Sequence, residues 1–172
     1  MELKILTDEV KTIFGISDIS QLGEMMKLCV QSADKEKMDA FVQLVSADLS
    51  KDWLQMIFQY NSADRKEKKQ DFTPQNLAKF LSKLIGNSGK TIDMCAGTGA
   101  LMIQRWNEHP DNKFICFELD EKVIPYLLFN LVIRNMNAEV YRADVLQNSI
   151  YDQWIIRKGE KYGSVSYIKP TI

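Results

Sequence analysis

At 172 residues the chain is long enough for one domain of ordinary size, or for one with a small helical appendage. Hydrophobic residues at 45% and charged residues at 26% are typical of globular chains, and a formal net charge of −1 gives no general electrostatic pull toward nucleic acid. No apolar run is long enough to span a bilayer, Met1-Glu2-Leu3-Lys4 begins no signal peptide, and Cys29, Cys95 and Cys116 read as reduced, mostly buried thiols of a cytoplasmic protein.

Residues 1–62 predict a small helical region of four short segments. The first covers about Leu6–Phe14. The second runs about Ile19–Val30, with Leu22, Met25, Met26 and Cys29 on one face. In the third, Met38, Phe41, Val42, Val45 and Leu49 recur at helical spacing behind the cap candidates Ser32 and Asp34. A fourth, about Lys51–Tyr60, carries Trp53, Leu54, Ile57 and Phe58. Such a set reads as a bundle packed on a neighbouring domain, with a partner-binding surface as the functional alternative. A polar, cation-rich connector follows at 61–70. It reads as a solvated linker, with contact to a phosphate backbone as the alternative.

Next comes Phe72-Thr73-Pro74, where Thr73 is placed to cap a helix whose first residue is Pro74. Leu77, Phe80, Leu81 and Leu84 give that helix one apolar stripe, and Gly86 stops it.

The most informative stretch is Thr91–Gly99, read as Thr-Ile-Asp-Met-Cys-Ala-Gly-Thr-Gly. An acid four positions ahead of a Gly-x-Gly turn, with a helix behind it, suits a nucleoside that carries an amino-acid tail. Gly97 and Gly99 let the backbone turn sharply and approach a ligand, and Asp93 is placed to meet a positively charged amino group. A dinucleotide site would want a third glycine where this chain has Met102, which favours S-adenosylmethionine over NAD. Lys113–Glu118 reads as a second buried strand whose final acid, about 20 residues past the turn, suits ribose hydroxyls. Glu139–Arg142 reads as a third strand, closed by Ala143-Asp144-Val145, with Asp144 available to an adenine amino group. Three acids then fall on the carboxyl edge of one parallel sheet, where open α/β sheets bind ligands. His109 lies in a turn between helix and strand; with no second histidine and no CxxC, no metal site is expected. Past Leu146, Ser149–Lys158 reads as a short amphipathic helix and Tyr162–Ile168 as a strand or hairpin arm. The edge of the first strand is expected to be covered by 163–168 or to pair with a second copy.

Phe72-Thr73-Pro74, Asp93-Met94-Cys95-Ala96-Gly97-Thr98-Gly99, Phe117-Glu118 and Ala143-Asp144, in that order, resemble the cofactor motifs of N6-adenine DNA methyltransferases. The likeness is strongest to the modification subunits of type I restriction systems and their phage relatives, and it spans about Lys68 to Leu146. It implies an α/β, Rossmann-like S-adenosylmethionine-dependent methyltransferase fold. The domain, 63–172, would hold a partial parallel sheet behind the helical region 1–62. By the same resemblance Phe72, Thr73 and Pro74 cover the methionine end of S-adenosyl-L-methionine. Asp93, Cys95, Ala96, Gly97, Thr98 and Gly99 form the turn around its carboxylate side. Glu118 with Leu119 serves the ribose, and Asp144 with Val145 the adenine.

One departure stands against these matches. Members of that family act through an Asn-Pro-Pro-aromatic or Asp-Pro-Pro-aromatic tetrapeptide that grips a flipped adenine. This sequence has no Pro-Pro; its prolines are Pro74, Pro110, Pro125 and Pro170. No catalytic residue is therefore assigned. The resemblance implies a cofactor-binding portion of a DNA methyltransferase, inactive alone and completed by a restriction-modification subunit, a second copy or further residues. A free-standing S-adenosylmethionine-binding protein and a methyltransferase of another substrate class stay open.

Overall fold

The computed structural model describes residues 2–61, 73–86 and 89–169. The connector at 62–70 and the predicted cofactor residue Phe72 lie outside the described residues.

Four helices come first: α1 (Leu3–Phe14), α2 (Leu22–Ser32, entered through a 3-10 turn at Ile19–Gln21), α3 (Lys35–Leu44) and α4 (Trp53–Asn61). Of the two cap candidates for α3, Asp34 accepts from the Lys37 amide at 3.1 Å, while Ser32 ends α2 and donates back to the Leu28 carbonyl. There follow α5 (Gln75–Leu84), β1 (Lys90–Asp93), α6 (Ala100–Glu108), β2 (Lys113–Glu118), α7 (Ile124–Ile133), β3 (Asn137–Asp144), β4 (Ser149–Arg157) and β5 (Ser164–Ile168).

The five strands form one sheet in the order β1-β2-β3-β4-β5. β1, β2 and β3 are parallel and joined through α6 and α7, the crossover that parallel neighbours require. β4 and β5 add antiparallel beyond β3. Every residue of α7 is buried, because the helix lies between the sheet and the N-terminal helices and has no solvent face. Phe129 on α7 meets Phe14 of α1 and Phe41 of α3 edge-on, with ring centroids 5.6 and 5.2 Å apart. A single apolar cluster thus runs from α1 through α7 into β2, β3 and β4.

Four expectations are corrected. Residues 149–157 form a strand, not an amphipathic helix. The spacing of Ile150, Tyr151, Trp154 and Ile155 suits a helix, but burial falls on Trp154 and Ile156, at the two-residue period of a strand. Tyr162–Ile168 is a hairpin arm, as one of its two readings had it. Yet its strand pairs with β4 and leaves the edge of β1 uncovered, since a short return is favoured over a crossing of the whole sheet. Thr73 does not cap α5. Pro74 occupies the N-cap, no side chain bonds there, and the Thr73 carbonyl instead accepts from Gln55 Nε2 at 3.3 Å.

The fourth correction concerns the face that α5 buries. Leu77, Phe80 and Leu84 are 47%, 57% and 65% exposed, and the buried positions are Ala78 and Ser82. Small residues let α5 lie close against α6, where Ser82 Oγ donates to Glu108 Oε2 at 2.9 Å. Arg105 of α6 then donates to the carbonyls of Ser82, Ile85 and Gly86, which satisfies acceptors left over at the helix end. Of the apolar stripe predicted from sequence, Leu77, Phe80 and Leu84 face outward and Leu81 is half-buried.

Candidate functional site

β1 ends at Asp93, and the chain turns through Gly97 and Gly99 at φ +55° and +104° before α6 begins. Those are left-handed conformations that only glycine adopts without strain. A Cβ on Gly99 would also lie 3.1 Å from Leu127 of α7. The turn is held against β2: the Ala96 amide donates to the Phe117 carbonyl at 2.8 Å, and the Gly97 amide donates to Glu118 Oε2 at 2.8 Å. Glu118 Oε1 accepts from the Asp120 amide. Each oxygen keeps a second lone pair, so the acid can still accept from a ligand.

Asp93 Oδ1 accepts from the Cys95 amide at 3.1 Å, while its Oδ2 is buried without a hydrogen-bond partner. Burial pushes this carboxyl above its ordinary range, and the Cys95 amide only partly opposes the shift. Asp144 closes β3 with Oδ1 accepting from the amides of Leu146 and Gln147. In register Asp93 pairs with Cys116 and Glu118 with Arg142, so the three acids stand at the carboxyl ends of three adjacent parallel strands. Among the turn residues Ala96, Thr98 and Gly99 are buried, whereas Cys95 is exposed, which corrects its expected burial. Leu119 is exposed and Val145 half-buried beyond their strands. Thr73 is tied to α4 through Gln55, and Pro74 is exposed.

The residues that sequence reasoning missed lie beneath the turn. Thr98 Oγ1 donates to Asp52 Oδ2 at 2.6 Å. Asp52 Oδ1 accepts from the Gln55 amide at 3.0 Å, which caps α4, and from Asn130 Nδ2 at 2.9 Å. The same Asn130 amide group donates to the Thr98 carbonyl, and its oxygen accepts from Arg134 at 2.8 Å. Arg134 also donates to the carbonyls of Leu49, Lys51 and Asn130. Burial raises the Asp52 carboxyl, with Thr98, Arg134 and Asn130 opposing it, and burial lowers Arg134 to about 10. A polar signal was present in the sequence: Asn130 and Arg134 interrupt an apolar run at helical spacing.

Residues 46–160, about two thirds of the chain, match the family model described as N-6 DNA Methylase. The chain belongs to the N-6 DNA methylase family. The match begins at the turn that leads into α4, includes the glycine turn and all three strand-end acids, and ends in the β4–β5 loop. This family generally uses S-adenosylmethionine and acts on DNA. No curated protein and no solved structure matches the chain. Among the described residues of this N-6 DNA methylase family member, no helix is long and apolar enough to cross a membrane. Nor do three or more His, Cys, Asp or Glu residues among them group to hold a metal ion.

Removal of Arg134 tests the buried network. Arg134→Ala would strip the carbonyls of Leu49 and Lys51 of their donor and leave Asp52 without its cationic neighbour. The expected loss is about 3–5 kcal/mol in urea unfolding, the scale of a buried charge left without compensation. A loss below about 1 kcal/mol, the scale of an exposed pair, would show the network to be solvated.

Proposed function

We propose that this chain is the S-adenosylmethionine-binding portion of an N6-adenine DNA methyltransferase of restriction-modification type, working in the cytoplasm and unable to transfer a methyl group alone. The observation that carries the reading is Asp93 Oδ2, a buried acceptor without a donor beside a glycine turn. Leaving such a group unsatisfied costs free energy, and a ligand ammonium would satisfy it. The group fits the residues present. Asp93 would hold its amino group, the backbone of Ala96, Gly97, Thr98 and Gly99 would lie along its tail, and Glu118 would accept from its ribose. Leu119, Asp144 and Val145 would border the adenine, with Thr73 and Pro74 over the methionine end beside Cys95. When bound, S-adenosylmethionine supplies a methyl group on a sulfonium centre, open to attack by a nucleophile. The sequence carries no Asn-Pro-Pro-aromatic tetrapeptide to present an adenine to it.

Completion by a partner has its own support. Among the described residues β1 pairs on one side only, with β2. Ile92 and Met94 on that strand and its exit are exposed, as are Leu77, Phe80, Leu84 and Ile85 of the preceding helix and its end. An open strand edge with apolar neighbours is a template for a further strand. A restriction-modification subunit bearing the base-handling residues would add there, with pairing to a second copy as the other use of the open edge, and DNA would be met by the completed assembly.

Titration calorimetry is expected to show binding of S-adenosylmethionine and S-adenosylhomocysteine but not NAD, with no methyl transfer to adenine in DNA by the chain alone. Glu118→Ala should weaken binding by about 1.5–3 kcal/mol, the scale of hydrogen bonds to a charged group. Binding of NAD alone, or unaltered affinity in Glu118→Ala, would refute the reading.

The pH dependence carries a sign. Because burial raises the Asp93 carboxyl, the free site takes up a proton as pH falls through that raised value, whereas a ligand ammonium needs the carboxylate. Affinity for S-adenosylmethionine should therefore weaken toward acid pH, and Asp93→Asn should bind weakly with a flat profile. A variant as pH-sensitive as the parent would move the ammonium away from Asp93.

A further inference from the structure

We propose that Asp52 is a positioning residue for the glycine turn, acting through Thr98, so that the helical region ahead of the sheet takes part in binding the cofactor. This deepens the reading above and rests on it. Beyond the Ala96 and Gly97 amides bonded to β2, the turn has few means of holding its shape. Gly97 and Gly99 lack side chains and, as glycines, have many backbone conformations open to them besides the left-handed ones they adopt. Thr98, between them, is the one residue with a side chain to grip, and it is fully buried.

It is gripped at both ends. Its hydroxyl donates to Asp52 Oδ2 at 2.6 Å, and its carbonyl accepts from Asn130 at 2.9 Å. Asn130 uses its other amide hydrogen on Asp52 Oδ1 at 2.9 Å, so Asp52, Thr98 and Asn130 close a ring of three hydrogen bonds. The charge of Asp52 is balanced by Arg134, which is itself anchored on the carbonyls of the 46–52 turn. Since Asp52 Oδ1 also caps α4, the start of that helix and the glycine turn share one carboxylate and cannot shift independently. Gln104 and Asn107 of α6 bind the Ser50 carbonyl two residues earlier, which fixes the approach to Asp52 from the other side.

A preformed turn spares the ligand the cost of ordering it, so loss of the grip should appear as loss of affinity in a protein that is still folded. Thr98→Val removes the hydroxyl and keeps the shape, and Thr98→Ser restores the hydroxyl. Asp52→Asn keeps an oxygen for the α4 cap but replaces the acceptor facing Thr98. Asp34→Ala, which uncaps α3 far from the turn, serves as a control that loses stability without touching the ring. S-adenosylmethionine affinity is measured by calorimetry at a temperature where circular dichroism shows every variant folded.

Thr98→Val and Asp52→Asn are each expected to weaken binding about tenfold, the loss of one hydrogen bond to a charged partner, with Thr98→Ser close to the parent. Asp34→Ala should leave affinity unchanged. Parent-like affinity in both folded Thr98→Val and Asp52→Asn would overturn the inference while leaving the cofactor reading intact. A drop in Asp34→Ala equal to theirs would reduce the effect to general stability and overturn it as well. Absence of binding by the parent chain would end both.

Discussion

The structure depends on one half-buried carboxylate. Asp52 starts a helix of the N-terminal region, receives the hydroxyl of the glycine turn, and meets the amide of the central helix. Taking such a group out of water is costly, and the cost is offset only if both oxygens have donors and a cation stands near. Three donors and Arg134 meet that condition here. The elements they come from are therefore held to one relative arrangement, which apolar packing alone would specify less sharply.

Above that node, the parallel strands do the positioning. Because β1, β2 and β3 run the same way and the crossovers return through α6 and α7, their carboxyl ends share one edge. Asp93, Glu118 and Asp144 arrive there without any contact in sequence. Glu118 also braces the turn by accepting from Gly97, so the acid assigned to the ribose is at the same time part of the frame. The antiparallel hairpin β4–β5 extends the sheet on the far side, and the Gly163 amide fastens it to the Val132 carbonyl at the end of α7.

Much of this was legible in the chain. The glycine turn, the two buried strands after it and the four leading helices follow from local patterns, although the third helix ends at Leu44, short of the Val45 and Leu49 assigned to its face. What failed was pattern with two readings. The apolar residues of 150–155 fit a helix and a strand alike, and only pairing with β3 decides between them. For α5 the larger residues suggested the inner face, but close approach to α6 selected Ala78 and Ser82. The Asp52 ring was hidden for another reason. Its members stand 46 and 78 positions apart, and no local spacing announces a contact that tertiary structure alone creates.

The guanidinium groups point to a last consequence. Arg105 and Arg134 are turned inward onto main-chain carbonyls, and Arg142 is held by Asp152 at 2.5 Å and lies over Tyr151. Among the described residues only Arg157 remains as an exposed arginine, so outward positive charge falls almost wholly to lysines. An ammonium neutralises a phosphate but lacks the planar fork that reads the edge of a guanine. On the described surface that planar recognition therefore rests with Arg157 alone.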